Sequence, residues 1–252
     1  MSDTMESSRL HVLKAMEDGW EGFSKAPLTF MLFTLLSGAI GLIFQAMSHG
    51  AAIRSSAGAG FNPGTILWII ISVIGSTVIS LWAVIGLIRG AWKALSGQKP
   101  TFRDFTRWDG KAAGRLLINQ LVLAVLLVVI LVIAIAIGAG LFQINQALAV
   151  IPGLVAGIVF LYLGVNQKFL PFIAAFQDGD PLDNIQSGRG YVDQSWWWML
   201  LLLIVEVVIL GIGLLLNGVG LLAASPLVIC ISTAAYRQLF GIADQTGFLS
   251  EN

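Results

Sequence analysis

The 252-residue sequence contains a single cysteine, Cys230, and only two histidines, His11 and His49. One chain therefore has no internal disulfide and cannot assemble a His/Cys cluster, which excludes zinc sites, iron-sulfur sites and thiol redox motifs. Charge is equally scarce. Charged residues make up 11% of the chain, against about 25% in a soluble domain, while 57% are hydrophobic and the mean hydropathy is +0.86. An ordinary soluble protein is excluded. The 14 basic and 14 acidic residues leave no net charge, so no overall field draws the chain to nucleic acid, and only the placement of charge can matter.

Long apolar runs are what the chain has in quantity. A hydrocarbon core about 30 Å thick needs about 20 apolar residues of helix to cross it. Six stretches of about that length or longer carry no formal charge: 27–48, 65–88, 116–142, 145–167, 196–216 and 219–239. No charge interrupts 116–167, and the polar residues Gln143, Asn145 and Gln146 mark a turn inside it. Asn217, Gly218 and Gly220 divide the last pair in the same way, because Asn and Gly suit the positive backbone angles of short turns. A membrane β-barrel would alternate polar with apolar residues. These runs are apolar on every side, and in lipid such a backbone satisfies its own hydrogen bonds as helix. The expected fold class is all-α: a polytopic membrane protein with six transmembrane helices, arranged as three hairpins with cytoplasmic amphipathic segments between them. Residues 1–25 mix acids and bases without an apolar core, so no cleavable signal peptide is expected there.

Cytoplasmic loops collect Lys and Arg. With six spans, both termini and the two long loops between hairpins share one side, and that side holds every base of the chain except Arg54. Both termini are therefore expected to be cytoplasmic, in the inner membrane of a bacterium. Residues 1–252 are read as one integral membrane domain with possible repeats at 1–98, 99–179 and 180–252. Pro100 and Pro181 each start a polar segment that leads into the next span, and Pro152 with Tyr162 is matched by Pro226 with Tyr236.

Three strings of residues resemble a known group. They are Gly19-Trp20-Glu21-Gly22-Phe23, then Pro171-Phe172-Ile173 leading to Asp180-Pro181, and Pro226 followed by Ala235-Tyr236-Arg237-Gln238-Leu239-Phe240-Gly241. The pattern resembles small six-helix bacterial membrane proteins of the YciC type, and the non-catalytic membrane domain attached to some glycerophosphodiester phosphodiesterases. That resemblance implies a membrane fold and brings no catalytic signature.

Two places break the apolar pattern. Glu206 is the only formal charge inside a span and lies midway along 196–216. An ionised carboxylate there is costly, so it is expected to be protonated, paired or facing water. It is either a proton or cation site, or a neutral acid hydrogen-bonded to another helix, for example through Asn119, Gln120 or a backbone carbonyl. The second place is Arg103, Arg107, Lys111 and Arg115, four cations at a strict spacing of four. On one continuous helix they would form a basic stripe, with Phe105, Trp108, Ala112 and Leu116 as an apolar face beside it. Such a helix would lie in the headgroup layer on anionic lipid. A first amphipathic segment sets Leu13, Met16, Trp20 and Phe23 against Lys14, Glu17, Asp18 and Glu21, as a surface anchor. Trp196, Trp197 and Trp198 read as an aromatic belt.

No nucleophile and base pair can be named, so an enzyme is not expected, nor is a cofactor or bound metal. The leading expectation is a non-catalytic integral membrane protein. It would organise lipid or a membrane complex through its cytoplasmic amphipathic helices, with anionic headgroups as partners and a membrane-protein partner or a second copy of itself as further possibilities. The alternative is a transporter or channel for a small or amphipathic solute that uses Glu206.

Overall fold

A computed structural model of the protein describes residues 10–54 and 63–250. Within them the order is α1 (Val12–Ser24), α2 (Pro27–Arg54), α3 (Pro63–Leu95), α4 (Phe102–Thr106) and α5 (Gly110–Phe142). A 3₁₀ turn (Leu148–Val150) follows, then α6 (Ile151–Asn166), α7 (Leu170–Phe176), α8 (Pro181–Asp193), α9 (Trp196–Leu215) and α10 (Leu221–Phe240). The described residues are helical with irregular connections and hold no strand. Arg9, counted above among the bases, lies outside the described residues.

Among the described residues, five helical stretches are long and apolar enough to cross a membrane: Pro27–Gly50, Pro63–Leu95, Gly110–Phe142, Leu148–Phe176 and Trp196–Leu215. The protein is all-helical, with the multi-pass character of a membrane protein. Both α3 and α5 have 33 residues, about 50 Å at 1.5 Å per residue, so each projects well beyond a 30 Å hydrocarbon core. Their projecting ends carry Arg89 and Lys93, and Lys111 and Arg115. α10 is not among the five stretches. Residues 230–236 of α10 are all buried, so protein surrounds this stretch and accommodates Ser232 and Thr233; Pro226 lies one turn earlier in the same helix.

Turns fall where the polar residues are. Asn217 and Gly218 both have positive φ, 54° and 77°, as a tight turn between α9 and α10 requires. After α5, Asn145 Oδ1 accepts from the Ala147 amide at 2.8 Å.

The chain divides into two compact units, one formed by Leu13–Ala113 with Glu206–Ala234 and the other by the remainder. The first is built around α2 and α3, which run antiparallel: Phe33 packs at Gly86 and Phe44 at Gly75. Its core is aromatic and small. Phe23, Phe30, Phe33 and Phe105 are buried with Ala91 and Ala94, and Phe30 meets Phe105 edge-on at 4.8 Å between ring centroids.

α1 presents a different face from the one its hydrophobic pattern suggests. Ala15, Gly19 and Phe23, four residues apart, are buried. A Cβ on Gly19 would stand 2.6 Å from the Cα of Ile231, so α1 crosses α10 backbone against backbone. Leu13 and Trp20, expected on the same face as Phe23, are instead 82% and 59% exposed. The helix therefore has two apolar faces, one packed on protein through Ala15, Gly19 and Phe23 and one left exposed at Leu13 and Trp20.

The second unit has its own aromatic nucleus. Tyr236 stacks on Phe240 at 4.7 Å and on Phe172 at 5.4 Å, while Phe176 meets Phe248 edge-on. Beside it, Asp193 accepts from Tyr162 and Asn166, and Arg189 bonds both Tyr162 and Asp193.

Candidate functional site

The four cations do not share one helix. α4 ends at Thr106, Arg107 is extended with φ −63° and ψ 118°, and α5 begins only at Gly110. A continuous helix would return the carbonyls of Thr106 and Arg107 to amides four residues on. Here both are taken by α3: Trp82 Nε1 donates to Thr106 O at 3.0 Å, and Arg89 Nη1 donates to Arg107 O at 2.8 Å. Asp109 then starts the new helix, its Oδ1 accepting from the amides of Lys111 and Ala112 at 3.1 and 3.0 Å, as an N-cap residue does. The expected basic stripe is therefore corrected to two short segments separated by a fixed break.

The break sorts the cations. Arg103, on α4, and Lys111, in the first turn of α5, are exposed, and Trp108 between them is 49% exposed. Arg107 is half-buried. Arg115 is committed elsewhere: its Nε donates to Ala174 O at 2.9 Å and its Nη2 to Ala175 O at 3.3 Å. Those carbonyls belong to the last turn of α7, where helical acceptors have no partner within the helix. Of the expected apolar face, only Trp108 looks outward; Phe105, Ala112 and Leu116 are buried.

Two ion pairs hold the segment down. Lys93 Nζ lies 2.8 Å from Asp104 Oδ1, and Asp104 Oδ2 accepts from the Thr101 amide and hydroxyl at 2.8 and 2.9 Å. Burial alone would raise the Asp104 pKa, but the hydrogen bonds from Lys93 and Thr101 outweigh it and hold the carboxyl below its usual range. The second pair joins Arg89, whose side chain is 2% exposed, to Asp109 at 3.4 Å. Neither anchoring base stood out in the sequence, since Arg89 and Lys93 read there only as topological charge. The signal that could have shown the break is Asp109-Gly110, a capping residue followed by a helix breaker.

Glu206 is buried, at 7% exposure, and its carboxyl is engaged by α10: Ser232 Oγ donates to Glu206 Oε1 at 2.8 Å. The partners suggested from sequence are otherwise placed. Asn119 donates to Arg115 O and accepts from Asn184, and Gln120 is exposed. One polar feature had no counterpart in the sequence reading, a groove between α2 and α3 lined by hydroxyls and glycines. No family model, curated protein or solved structure matches this chain.

Proposed function

We propose that this chain is a non-catalytic, multi-pass protein of the bacterial inner membrane that gathers anionic lipid at its cytoplasmic face, for itself or for a membrane complex. In this reading α10 is the sixth span and completes three hairpins with both termini cytoplasmic. The observation that carries it is the α4–α5 junction, where exposed Arg103 and Lys111 flank the half-exposed Trp108 on a backbone held by Trp82 and Arg89. An indole at the acyl boundary between two cations suits an anionic headgroup. Each cation near a charged surface contributes about 1 kcal/mol, or about fivefold in affinity.

The test uses the full chain in vesicles of mixed phosphatidylglycerol and phosphatidylethanolamine, with the lipid retained on extraction measured by mass spectrometry. The wild type is expected to retain phosphatidylglycerol above its bulk fraction, less so at high salt as the Debye length shrinks. Arg103→Gln with Lys111→Gln is expected to lose most of that enrichment. Absence of enrichment, or enrichment untouched by salt and by the double substitution, would leave those bases a topological role only.

Transport of a small or amphipathic solute is the second reading, and the buried Glu206–Ser232 pair favours it. Glu206→Gln separates the two. The amide keeps an acceptor for Ser232 but cannot exchange a proton near neutral pH. The expected result is a protein as stable in detergent as the wild type, with unchanged properties. Glu206→Leu is expected to cost little more than an interhelical hydrogen bond, about 0.6 kcal/mol on average, because Ser232 can turn back to a carbonyl of its own helix. A well-folded Glu206→Gln protein that has lost a measurable proton-coupled flux would promote transport over lipid organisation.

A further inference from the structure

Between α2 and α3 lies a groove of about 660 Å³ lined by polar and small residues at membrane depth. On α2 it runs from Thr34 through Ser37, Gly41 and Gln45 to Ser48, about 21 Å of helix at 1.5 Å per residue, or most of a 30 Å hydrocarbon core. Ser76 and Ser80 face it from α3. Among the described residues no acidic or basic side chain lines it. Its basic end is closed by Leu87 and by the buried cluster of Phe30, Phe33 and Phe105 below. Along Gly38 and Gly41 it is open: among the described residues nothing beyond the helix's own neighbouring backbone stands within 4 Å of where a Cβ would be.

The hydrogen-bonding state of the lining is specific. Thr34, Ser37, Ser48 and Ser76 each donate their hydroxyl hydrogen to a carbonyl of their own helix, at 3.0, 2.9, 3.1 and 3.0 Å. Their oxygens therefore remain as acceptors only. Gln45 and Ser80, both exposed, add donors partway along. An acyl chain would leave the Gln45 amide unmet in hydrocarbon. An anionic head would find no cation among the described lining residues. A docked helix, whose backbone donors are already used, would bring little to a row of acceptors.

We infer that this groove binds the ammonium end of a zwitterionic amphiphile with an ethanolamine head, whose three N–H donors meet the row of acceptors, entering from the end away from the basic layer. Its tail would remain in lipid beside exposed apolar residues of the same helices, such as Leu42 and Val78. The inference goes beyond the anionic-lipid contact at the α4–α5 junction and rests only on α2 and α3 spanning the membrane.

The experiment follows one engineered thiol in the purified full chain in detergent. In a Cys230→Ser background, Gly41→Cys is expected to react with a charged maleimide. Dioctanoyl phosphatidylethanolamine is expected to slow that reaction about tenfold, while dioctanoyl phosphatidylglycerol leaves it within twofold. Gln45→Leu is expected to raise the phosphatidylethanolamine concentration for half-protection about tenfold, a loss of about 1.4 kcal/mol. Ser80→Cys gives a second reporter if Gly41→Cys does not fold. Equal protection by both lipids, protection indifferent to Gln45, or no thiol reactivity in lipid-free protein would overturn the assignment. A disulfide between Gly41→Cys residues of two copies, formed regardless of lipid, would overturn it in favour of a dimer interface. The Arg103→Gln, Lys111→Gln protein is expected to keep its protection by phosphatidylethanolamine, so failure of the lipid-gathering proposal and failure of this one remain distinguishable.

Discussion

Asp109→Ala is expected to destabilise the protein by about 4 kcal/mol in a detergent unfolding titration, because the residue does two jobs with two oxygens. Its Oδ2 faces the buried Arg89 guanidinium at 3.4 Å, and removing one partner of a buried pair costs about 3–5 kcal/mol. Its Oδ1 caps α5 through the amides of Lys111 and Ala112, worth about 1 kcal/mol. Asp109→Asn separates the two. The amide oxygen still caps, as Asn does about as well as Asp, so this variant should show the charge loss alone and sit about 1 kcal/mol above Asp109→Ala. Combining Asp109→Asn with Arg89→Met removes both charges together. A buried pair replaced by apolar volume is often neutral, so the double variant should recover most of the stability that Asp109→Asn loses. If Asp109→Asn proves as stable as the wild type, Arg89 is not held by that carboxylate, and the break before α5 must rest on Trp82 and the Arg107 carbonyl alone.

The helical class and the apolar spans were legible because a run of some twenty uncharged apolar residues has few other fates in a chain of this composition. The interruption at 107–109 was not legible from charge. A spacing of four implies one face only on a continuous helix, and Trp82 and Arg89, distant in sequence, remove the carbonyls that would continue it. The buried face of α1 departs from its hydrophobic pattern for a related reason. Hydrophobicity selects Leu13 and Trp20, whereas the protein-facing side is set by how near another backbone can come, which selects Ala15 and Gly19.

The polar residues divide by whether their partner is local. Asn217-Gly218 turned as expected, since its backbone angles are a property of those residues. Glu206 was legible as an exception within its span, but its partner, Ser232, is one hydroxyl among many, and nothing local distinguishes it from Ser225 or Thr233. The hydroxyls of the α2–α3 groove are inconspicuous in the sequence because Ser, Thr and Gly interrupt an apolar run only weakly, and their common face becomes visible only when the two helices are laid side by side. Three residues of the strings singled out in the sequence make packing contacts: Gly19 is the crossing point with α10, and Phe172 and Tyr236 stack on one another.

Gly90→Leu is expected to be the most disruptive single change in the α3–α4 contact, costing about 4 kcal/mol. A Cβ at Gly90 would meet the ring of Phe105, and one at Gly86 would meet the Phe105 carbonyl oxygen and the Phe33 ring. α4 therefore lies directly on a patch of α3 that has no side chains. Phe105 is fully buried and touches both Phe30 and Phe33, so a leucine at position 90 displaces it from the core. Losing a buried phenylalanine costs about 3–5 kcal/mol. Once α4 lifts, the Lys93–Asp104 pair and the bond from Arg89 to the Arg107 carbonyl must also open, and the break that presents Arg103 and Lys111 loses its support. Gly90→Ala is expected to cost far less. One methyl pushed against a ring costs about 1–3 kcal/mol, and the gain in helix propensity of about 1 kcal/mol offsets part of it. Phe105→Leu in the Gly90→Ala background makes room for the methyl and should cost less than the sum of the two single changes. Gly157→Ala serves as the control, because nothing lies within 4 Å of a Cβ there, and it should be neutral or slightly stabilising. The measurement is thermal unfolding in detergent alongside retained phosphatidylglycerol, and Gly90→Leu should lower both. A Gly90→Leu protein with unchanged stability would mean that Phe105 is not seated against α3, and would remove the foundation proposed for the lipid-facing junction.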